Sequence, residues 1–293
     1  MNQATALMGL VTETSMHAGA GSSVGTVDLP IQREGHNGWP CVFGSAVKGA
    51  LRDRIGTELG ASHPDVLAVF GPDTKNASEN AGALAVGDAR LLLLPVRSLT
   101  SAFKWVTCPE ALKRLRRDAE RIGLSAQFPM NIPAVTDSEA LCAQASGDLF
   151  LEEYRFAQKP HIDVAALISP LSLLMRRDDA AAELIKRLVV ISDDMYAHLV
   201  HAATPVNAHI ALNSETKTVV DGALWYEETL PPETLLYVVL LAVKARQKDS
   251  KLDAAAVLGQ VLDPLGKRPW LQLGGNETVG MGWCGVATVT SEG

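Results

Sequence analysis

Apolar and polar positions alternate in some parts of the chain and recur every four residues in others. Residues 5–12, TALMGLVT, alternate loosely and predict a strand. Residues 13–44 lose this pattern and are rich in Gly, Ser and Pro, so we predict a long loop. Loops of this length inside a compact domain are usually functional or disordered, which makes the segment a candidate site.

The next segment, GSAVKGALRDRIGTELG, has the period of a helix. Its apolar residues Val47, Leu51 and Ile55 are four positions apart and define one face. Ser45 is the expected N-cap and Gly60 the expected stop.

The middle of the chain is less regular. Residues 83–94 predict a buried strand, and the basic stretch 109–124 predicts a helix. Within the mixed region 125–170, GDLFLEEYRF alternates like one strand. Residues 178–202 predict helix with a break near Asp193.

The last third returns to strong patterns. Residues 218–230 and 233–243 predict two strands around the PP turn, and 253–266 predicts a helix that ends at Pro and Gly. WLQLGG and CGVATVT predict two short closing strands. Without the middle, the order approximates βαββαβ, so we predict an α+β fold of the ferredoxin-like type, also used by RNA-recognition modules, with helices on one face of the sheet.

Composition narrows the class of protein. The 293 residues are 47% hydrophobic, which allows one large domain or two small ones. No apolar run approaches the roughly 18 residues of a membrane span, and no signal peptide is evident, so we expect no membrane partner. The four cysteines are scattered without a CxxC pair, which indicates reduced thiols and a cytoplasmic location. A net charge of −7 argues against nucleic-acid binding, but only weakly, because a local basic patch can coexist with an acidic remainder.

Asp28 and His17 are the candidate chemical groups of the long loop. Asp28 is the one acid between Glu13 and Glu34. It either caps a turn or is presented by the loop to a ligand. His and Asp act as general acids, general bases or metal ligands, although their spacing here matches no standard metal motif.

A second group of candidates lies at the end of a predicted strand. Tyr226, Glu227 and Glu228 form either acid–base machinery or a polar strand end. The glycine-rich segment 273–283 lacks the Lys-Ser/Thr of a P-loop and opens no helix, so it is either a turn between strands or a loop pressed against an RNA backbone.

Basic residues suggest two RNA-binding surfaces. Lys48 and Arg52 are four apart on the predicted helix 44–60, and form either a phosphate-binding edge or an ordinary solvated face. KRLRRDAER, 113–121, is the strongest basic cluster, but its interleaved acids are equally typical of a solvated helix.

Several motifs in order carry a resemblance to a known family. They are HAGAGSSVGTVDLPIQRE, GSAVKGALR, RLLLLPVRSL, FKWVTCPEAL, LWYEETLPPETLLY and LQLGGNETVGMGWC. Together they resemble the RAMP-superfamily backbone subunits of type III-B (Cmr) CRISPR effector complexes, from about residue 5 to 288. The resemblance is clearest at both ends and weaker over 125–215.

The resemblance implies a fold and an assembly. The fold would be one RAMP domain over 1–293, with an RNA-recognition-like core from about 5–124 and 216–290. Long insertions would lie within about 125–215 and would include a β-hairpin thumb, which we favour within 125–190. Copies would stack in a helix along a guide RNA, together with other subunits of the effector complex.

The resemblance also implies an activity, a metal-dependent endoribonuclease that cuts the paired target RNA at regular intervals with Mg²⁺ or Mn²⁺. The matching catalytic and metal-binding carboxylate is Asp28, and His17, Tyr226, Glu227 and Glu228 fall on further catalytic positions. The residues expected to bind RNA are Ser45, Lys48, Arg52, Gly274, Gly275, Asn276, Thr278, Gly280 and Gly282.

Two other functions remain open at this point. One is a non-catalytic RNA-coating scaffold of the same superfamily, and the presence of Asp28 in its loop argues against it. The other is a free-standing endoribonuclease that processes guide precursors, which would act as a monomer.

Overall fold

A computed structural model describes residues 3–72, 81–144, 147–247 and 249–291. Their helices are α1 (Gly44–Leu59), α2 (Pro64–Phe70), α3 (Pro109–Arg121), α4 (Ile162–Ser172), α5 (Ala180–Arg187), α6 (Asp193–Ala202) and α7 (Ala254–Lys267), with a 3-10 turn at Glu277–Val279. Their strands are β1 (Gln3–Thr12), β2 (Cys41–Val42), β3 (Leu84–Val86), β4 (Ala89–Arg97), β5 (Phe103–Thr107), β6 (Glu139–Cys142), β7 (Asp148–Leu151), β8 (Tyr154–Pro160), β9 (Leu188–Val190), β10 (Val206–Leu212), β11 (Val219–Glu228), β12 (Leu235–Val243), β13 (Trp270–Gln272) and β14 (Trp283–Thr290).

The centre of the fold is the predicted ferredoxin-like sheet. Four antiparallel strands lie in the order β14-β1-β12-β4. In the order of the chain, β1, β4, β12 and β14 are the four strands of a βαββαβ unit, with α1 and α7 as its helices. The α+β class and the core order are therefore confirmed.

Both faces of this sheet are buried, which corrects the expectation of helices on one face. Met8 and Leu10 of β1 join a core cluster with residues of α1, α2 and α7, whereas Leu7 and Val11 join a second cluster with residues of α3, α4 and α5. Successive side chains of a strand point to opposite faces. The near-continuous apolar run of β1 is therefore the signature of a strand covered on both sides.

The inserted middle extends the same sheet. Beyond β4 the strand order continues β5-β9-β6-β8-β7. The segment GDLFLEEYRF, predicted as one strand, is the hairpin β7–β8, with Glu152 at a positive φ of 50° in its turn. The segment 178–202, predicted as helix with a break near Asp193, does break before Asp193, where α6 begins. The break is wider than predicted, because Leu188–Val190 forms β9, parallel to β5. All three residues of β9 are buried, and this tertiary pairing overrides the helical neighbours on either side.

One hairpin lies outside the main sheet. β10 and β11 pair antiparallel in a separate two-stranded sheet, with exposed apolar residues such as Ile210, Leu212 and Leu224. The core was expected to resume near 216, but β11 forms its ladder with β10, and the main sheet resumes at β12. The location of the thumb within 125–215 stays a prediction.

Two helix termini test the predicted signals. α1 begins at Gly44 after Phe43, and the N–H of Gly44 donates to Asp88 Oδ1 at 2.7 Å, so the prediction of Ser45 as N-cap is wrong. Gly60 ends the helix with a φ of 99°, as expected for a residue that tolerates positive φ. Among the described helices, none is both long and apolar enough to cross a membrane.

Candidate active site and RNA interface

The loop after β1 is fixed by bridges at several points. Isolated bridges join Met16 to Leu230, Gly19 to Ile31 and Leu29 to Glu227. Because the third bridge aligns the loop with the end of β11, the structure brings together residues that are 198 positions apart in the chain. The predicted candidates in the loop and on β11 therefore belong to one site.

Asp28 lies at this junction and is a partly exposed residue. Its Oδ2 accepts a hydrogen bond of 2.8 Å from the backbone N–H of Tyr226. Its Oδ1 accepts none from any residue that the structure describes. Asp28 is thus oriented by a distant strand, and it retains one acceptor oxygen for a ligand.

His17 has a defined tautomer when it is neutral. Its Nδ1 lies 2.8 Å from the carbonyl oxygen of Glu228. A carbonyl can only accept, so Nδ1 carries the proton and Nε2 is left as a base. Nε2 faces Gly19, where a β-carbon would lie only 2.7 Å from it. The close approach of the loop backbone to this ring therefore favours glycine at position 19.

Glu227 is buried beside His17. Its Oε1 lies 3.8 Å from His17 Nδ1 and accepts a hydrogen bond of 2.6 Å from Asn276 Nδ2. Asn276 lies in the glycine-rich segment at a positive φ of 60°. One predicted RNA-binding residue therefore also supports a predicted catalytic one.

The glycine-rich segment is a turn between β13 and β14 that packs on the His17 segment. The N–H of Gly275 donates to the carbonyl of His17 at 2.9 Å. Gly274 has a φ of 84°, and a β-carbon there would overlap the carbonyl oxygen of His17. The turn interpretation is therefore confirmed, and the contact of this segment with RNA stays a prediction. Thr278 and Gly280 lie at its exposed outer end.

Glu228 has surroundings unlike those of its neighbour. Its buried carboxylate accepts hydrogen bonds from Arg33 Nη2 at 2.5 Å, Thr204 Oγ1 at 2.8 Å and the N–H of Ile31 at 3.1 Å. Burial alone would raise the pKa of Glu228, but these hydrogen bonds and the charge of Arg33 outweigh it and lower the pKa below its ordinary value. Glu228 is therefore a fixed carboxylate at neutral pH.

Tyr226 is the exposed member of this group. It pairs with Ala208 in the β10–β11 hairpin, and its side chain is 41% exposed. Neighbouring residues of a strand point to opposite faces, so the Tyr226 ring and the Glu227 carboxylate diverge. The contact of Tyr226 with the site is made by its backbone N–H.

Lys48 and Arg52, the predicted cationic edge of α1, are not equally available to RNA. Arg52 Nη1 donates to the carbonyl of Gly71 at 2.8 Å and so secures the end of α2. Burial, together with the nearby charge of Arg52, lowers the pKa of Lys48. Lys48 and Ser45 line a groove with Arg246, which adds a second cation there.

The basic cluster 113–121 is largely neutralised within the protein. Arg114 forms a buried pair with Glu34, while Arg117 pairs with Glu110 and Arg121 with Asp118. The interpretation as an RNA patch is therefore not favoured by the structure.

Two residues of the site were missed from the sequence. Arg33 and Thr204 contact Glu228 across 195 and 24 positions. Arg33 stands beside Glu34 at the end of the long loop, but nothing in that pattern points to a partner on β11.

The protein side chains at the site supply only part of the ligands that a metal ion needs. Asp28 offers one unoccupied carboxylate oxygen, which suits Mg²⁺ or Mn²⁺. Among the described residues, no group of three His, Cys, Asp or Glu side chains is arranged to hold a metal ion. A cation at Asp28 would therefore take its remaining ligands from water and from phosphate oxygens of bound RNA.

Comparisons with known proteins identify the family of the chain. The family model of the RAMP superfamily matches residues 10–285. The chain is 39% identical to the Cmr endoribonuclease Cmr4 of Pyrococcus furiosus, with 98% of this chain and 97% of the relative covered. It is 27% identical to the CMR subunit Cmr4 of Saccharolobus solfataricus, with 92% and 91% covered.

Solved structures give the same result for the fold. A crystal structure of oligomeric Cmr4 from Pyrococcus furiosus aligns with a TM-score of 0.72 and 29% identity over 98% of both chains. A chain of the type III-B Cmr-beta complex bound to cognate target RNA aligns with a TM-score of 0.76 and 20% identity, over 98% of this chain and 96% of that one. The chain therefore belongs to the RAMP superfamily, in the family of the Cmr4 subunits of CRISPR Cmr systems.

Proposed function

We propose that this protein is a backbone subunit of a type III-B CRISPR effector, which coats a guide RNA and cleaves the paired target RNA as an endoribonuclease. One observation carries the catalytic part. The loop after β1 holds Asp28, with an unoccupied carboxylate oxygen, beside the end of β11, where Glu227 lies 3.8 Å from His17 of the same loop. A scaffold that only coats RNA would not need this arrangement.

The chemistry is the attack of an RNA 2′-hydroxyl on its own neighbouring phosphate, which forms a 2′,3′-cyclic phosphate as the bond from phosphorus to the 5′-oxygen of the next nucleotide breaks, and the departing 5′-oxygen takes up a proton from water. The RNA supplies the nucleophile, so the protein needs only to align it and to move protons. His17 Nε2 is the base that accepts the hydroxyl proton, since Nδ1 is fixed as a donor to the Glu228 carbonyl. Glu227, 3.8 Å from Nδ1, stabilises the imidazolium that forms.

Asp28 acts at the scissile phosphate. We propose that it holds Mg²⁺ or Mn²⁺ there, with RNA and water as the other ligands. When bound, the cation neutralises charge that develops on the phosphate oxygens. Asp28 itself supplies a carboxylate whose position is fixed by the N–H of Tyr226.

The RNA path follows from the exposed polar groups around the site. We propose that Lys48, with Ser45 and Arg246 in the same groove, contacts phosphates of the guide. The outer part of the glycine-rich turn, Thr278 and Gly280, lies next to RNA. Copies of the chain then stack head to tail on the guide, together with other effector subunits. The four cysteines are free and buried, which fits the reducing cytoplasm in which we place the complex.

The test is target cleavage by reconstituted complexes that carry Asp28→Asn or Asp28→Ala. Asn keeps the acceptor for Tyr226 N–H but removes the charge. We expect both variants to lose about 100-fold or more in cleavage rate at saturating Mg²⁺, with guide binding unchanged. Cleavage by Asp28→Asn near the wild-type rate would remove Asp28 from the mechanism.

A further inference from the structure

We propose that Arg33 and Glu228 form a clamp that positions the segment bearing Asp28, and that Glu228 is a positioning residue and not a proton carrier or metal ligand. The inference rests on the proposed function, because it assigns a role within that site. It separates two adjacent acids, Glu227 and Glu228, which the sequence presents as equivalent.

The first support is the saturation of the Glu228 carboxylate. Oε1 accepts from both Arg33 and Thr204, and Oε2 accepts from the N–H of Ile31. The side chain is 8% exposed. A carboxylate with these donors in place has little capacity for a proton or a cation, because its lone pairs are already directed at protein groups.

The second support is the way in which Arg33 is held. Besides Glu228 and Thr204, its guanidinium donates to the carbonyls of Gly38 at 2.8 Å and Val200 at 3.1 Å. These acceptors belong to the end of the long loop, to α6 and to the connection that leads into β10. Arg33 therefore ties three segments to one carboxylate, with the planar multi-donor geometry that lysine lacks.

The third support is the direct path from this clamp to Asp28. The N–H of Ile31, three residues after Asp28, is anchored on Glu228. Between them, Leu29 exchanges hydrogen bonds of 3.0 Å with the carbonyl of Tyr226 and the N–H of Glu228. The N–H of Tyr226 then holds Asp28 itself. Loss of the Ile31 anchor releases one end of the short ladder that orients Asp28.

Glu227 supplies the contrast within the same strand end. Its Oε1 meets Asn276 and lies near His17, while its Oε2 accepts no hydrogen bond from the residues that the structure describes. Glu227 faces the candidate base, whereas Glu228 faces the loop backbone. The two acids therefore differ in what their carboxylates can still do.

The experiment compares Arg33→Met, Glu228→Gln and the double variant in the complex reconstituted with a guide RNA and its complementary target. We expect each single variant to lower the single-turnover cleavage rate about 10-fold or more, because small misplacements of a reacting group are costly. Target affinity stays within about twofold, since neither residue contacts RNA in this account. The double variant is no slower than the slower single, because both changes disable one device.

Arg114→Met is the matched control. It breaks another buried ion pair, with Glu34, the residue next to Arg33, but leaves the Glu228 contacts intact. We expect it to reduce the rate less than about threefold. Thr204→Val removes one donor to Glu228 without leaving a charge unpaired. If Glu228→Gln does not fold, Thr204→Val replaces it, and we expect a smaller reduction of the cleavage rate.

Two outcomes overturn the clamp. If Glu228→Gln abolishes cleavage while Arg33→Met cleaves normally, Glu228 is itself a chemical group. If the losses of the two single variants multiply in the double variant, the residues act independently.

Amide hydrogen exchange of the RNA-free chain gives a readout that does not depend on activity. Exchange at Leu29 and Ile31 rises in Arg33→Met and Glu228→Gln but not in Arg114→Met. Unchanged exchange rejects the clamp. If the wild-type complex does not cleave, the proposed function fails, and the exchange result still decides whether the clamp exists.

Discussion

At the residue scale, the chemistry of the site depends on which nitrogen of His17 carries the proton. The carbonyl of Glu228 fixes that proton on Nδ1 and leaves Nε2 as the base. A backbone carbonyl supplies this orientation, so substitutions at Glu228 leave the acceptor chemically present. The tautomer of His17 is therefore determined by the backbone arrangement of the loop and β11, and not by any one neighbouring side chain.

His17→Asn separates the two nitrogens. The Asn amide retains a donor for the Glu228 carbonyl but offers no base at the position of Nε2. We expect cleavage to fall about 100-fold or more while the free energy of unfolding changes by less than about 1 kcal/mol. Cleavage by the reconstituted complex measures the first effect, and unfolding in denaturant measures the second. Cleavage near the wild-type rate would exclude His17 as the base.

A pH dependence of stability follows from Glu228 and Glu34. Burial opposes ionisation of both, but the hydrogen bonds from Arg33 and Arg114 prevail, so both carboxyl pKa values lie below the ordinary 4.5. The unfolded chain then binds more protons than the folded chain as the pH falls. Their stabilising contribution is complete above about pH 4.5 and is lost as the pH falls through the folded-state pKa values.

The measurement is the free energy of unfolding between pH 7 and pH 3 for the wild type and Glu228→Gln. We expect the variant to be less stable at pH 7 and to lose less stability on acidification. Parallel curves for the two proteins would show that Glu228 does not titrate with folding.

At the element scale, the glycine-rich turn and the hairpin end of β11 form the two sides of the His17 segment. Gly274 allows the turn to approach the His17 carbonyl, and Asn276 reaches Glu227 from the same turn. The turn therefore shapes the site whether or not it also contacts RNA.

Gly274→Ala and Gly280→Ala are a matched pair. Both glycines have a φ near 84°, but only at Gly274 would a β-carbon meet the His17 backbone, since nothing lies within 4 Å at Gly280. We expect Gly280→Ala to cost about 1–2 kcal/mol for the left-handed conformation alone. Gly274→Ala adds a steric clash with the His17 backbone, so it is expected to destabilise the chain more than Gly280→Ala does. Equal effects of the two substitutions on the free energy of unfolding would contradict this packing.

Elements with strong local patterns were predicted best. The four-residue spacing of Val47, Leu51 and Ile55 gave α1, and all three are buried. β9 could not be predicted, because three apolar residues between helical segments become a strand only when β5 and β6 are present to pair with them. The covering of both sheet faces depends likewise on where the inserted helices pack.

The residues of the site were likewise only partly predictable from the sequence. The candidates Asp28, His17, Tyr226, Glu227 and Glu228 were visible in the sequence, and the resemblance to a known family gave them catalytic positions without separating Glu227 from Glu228. The clamp could not be found in that way, because Arg33 and Glu228 are 195 positions apart. Their pairing is created by the bridge between the loop and β11, which no local pattern encodes.

At the scale of the whole molecule, the chain combines a negative net charge with the proposed role in RNA binding. The net charge is −7, and much of the basic cluster on α3 is paired within the protein. In the proposed RNA path, Lys48 and Arg246 line one groove near the start of α1. Stacking of copies would align these local patches along one guide, so that affinity arises from repetition and not from one strongly basic surface.

In the proposed function, each copy in the stack cuts the target RNA with its own Asp28. The most direct measurement is cleavage by complexes assembled from wild-type and Asp28→Ala chains mixed in known ratios. We predict regularly spaced target fragments, whose yield at each position falls in proportion to the fraction of Asp28→Ala chains while the spacing stays constant. Fragments that persist unchanged in complexes made entirely of Asp28→Ala chains would contradict the account.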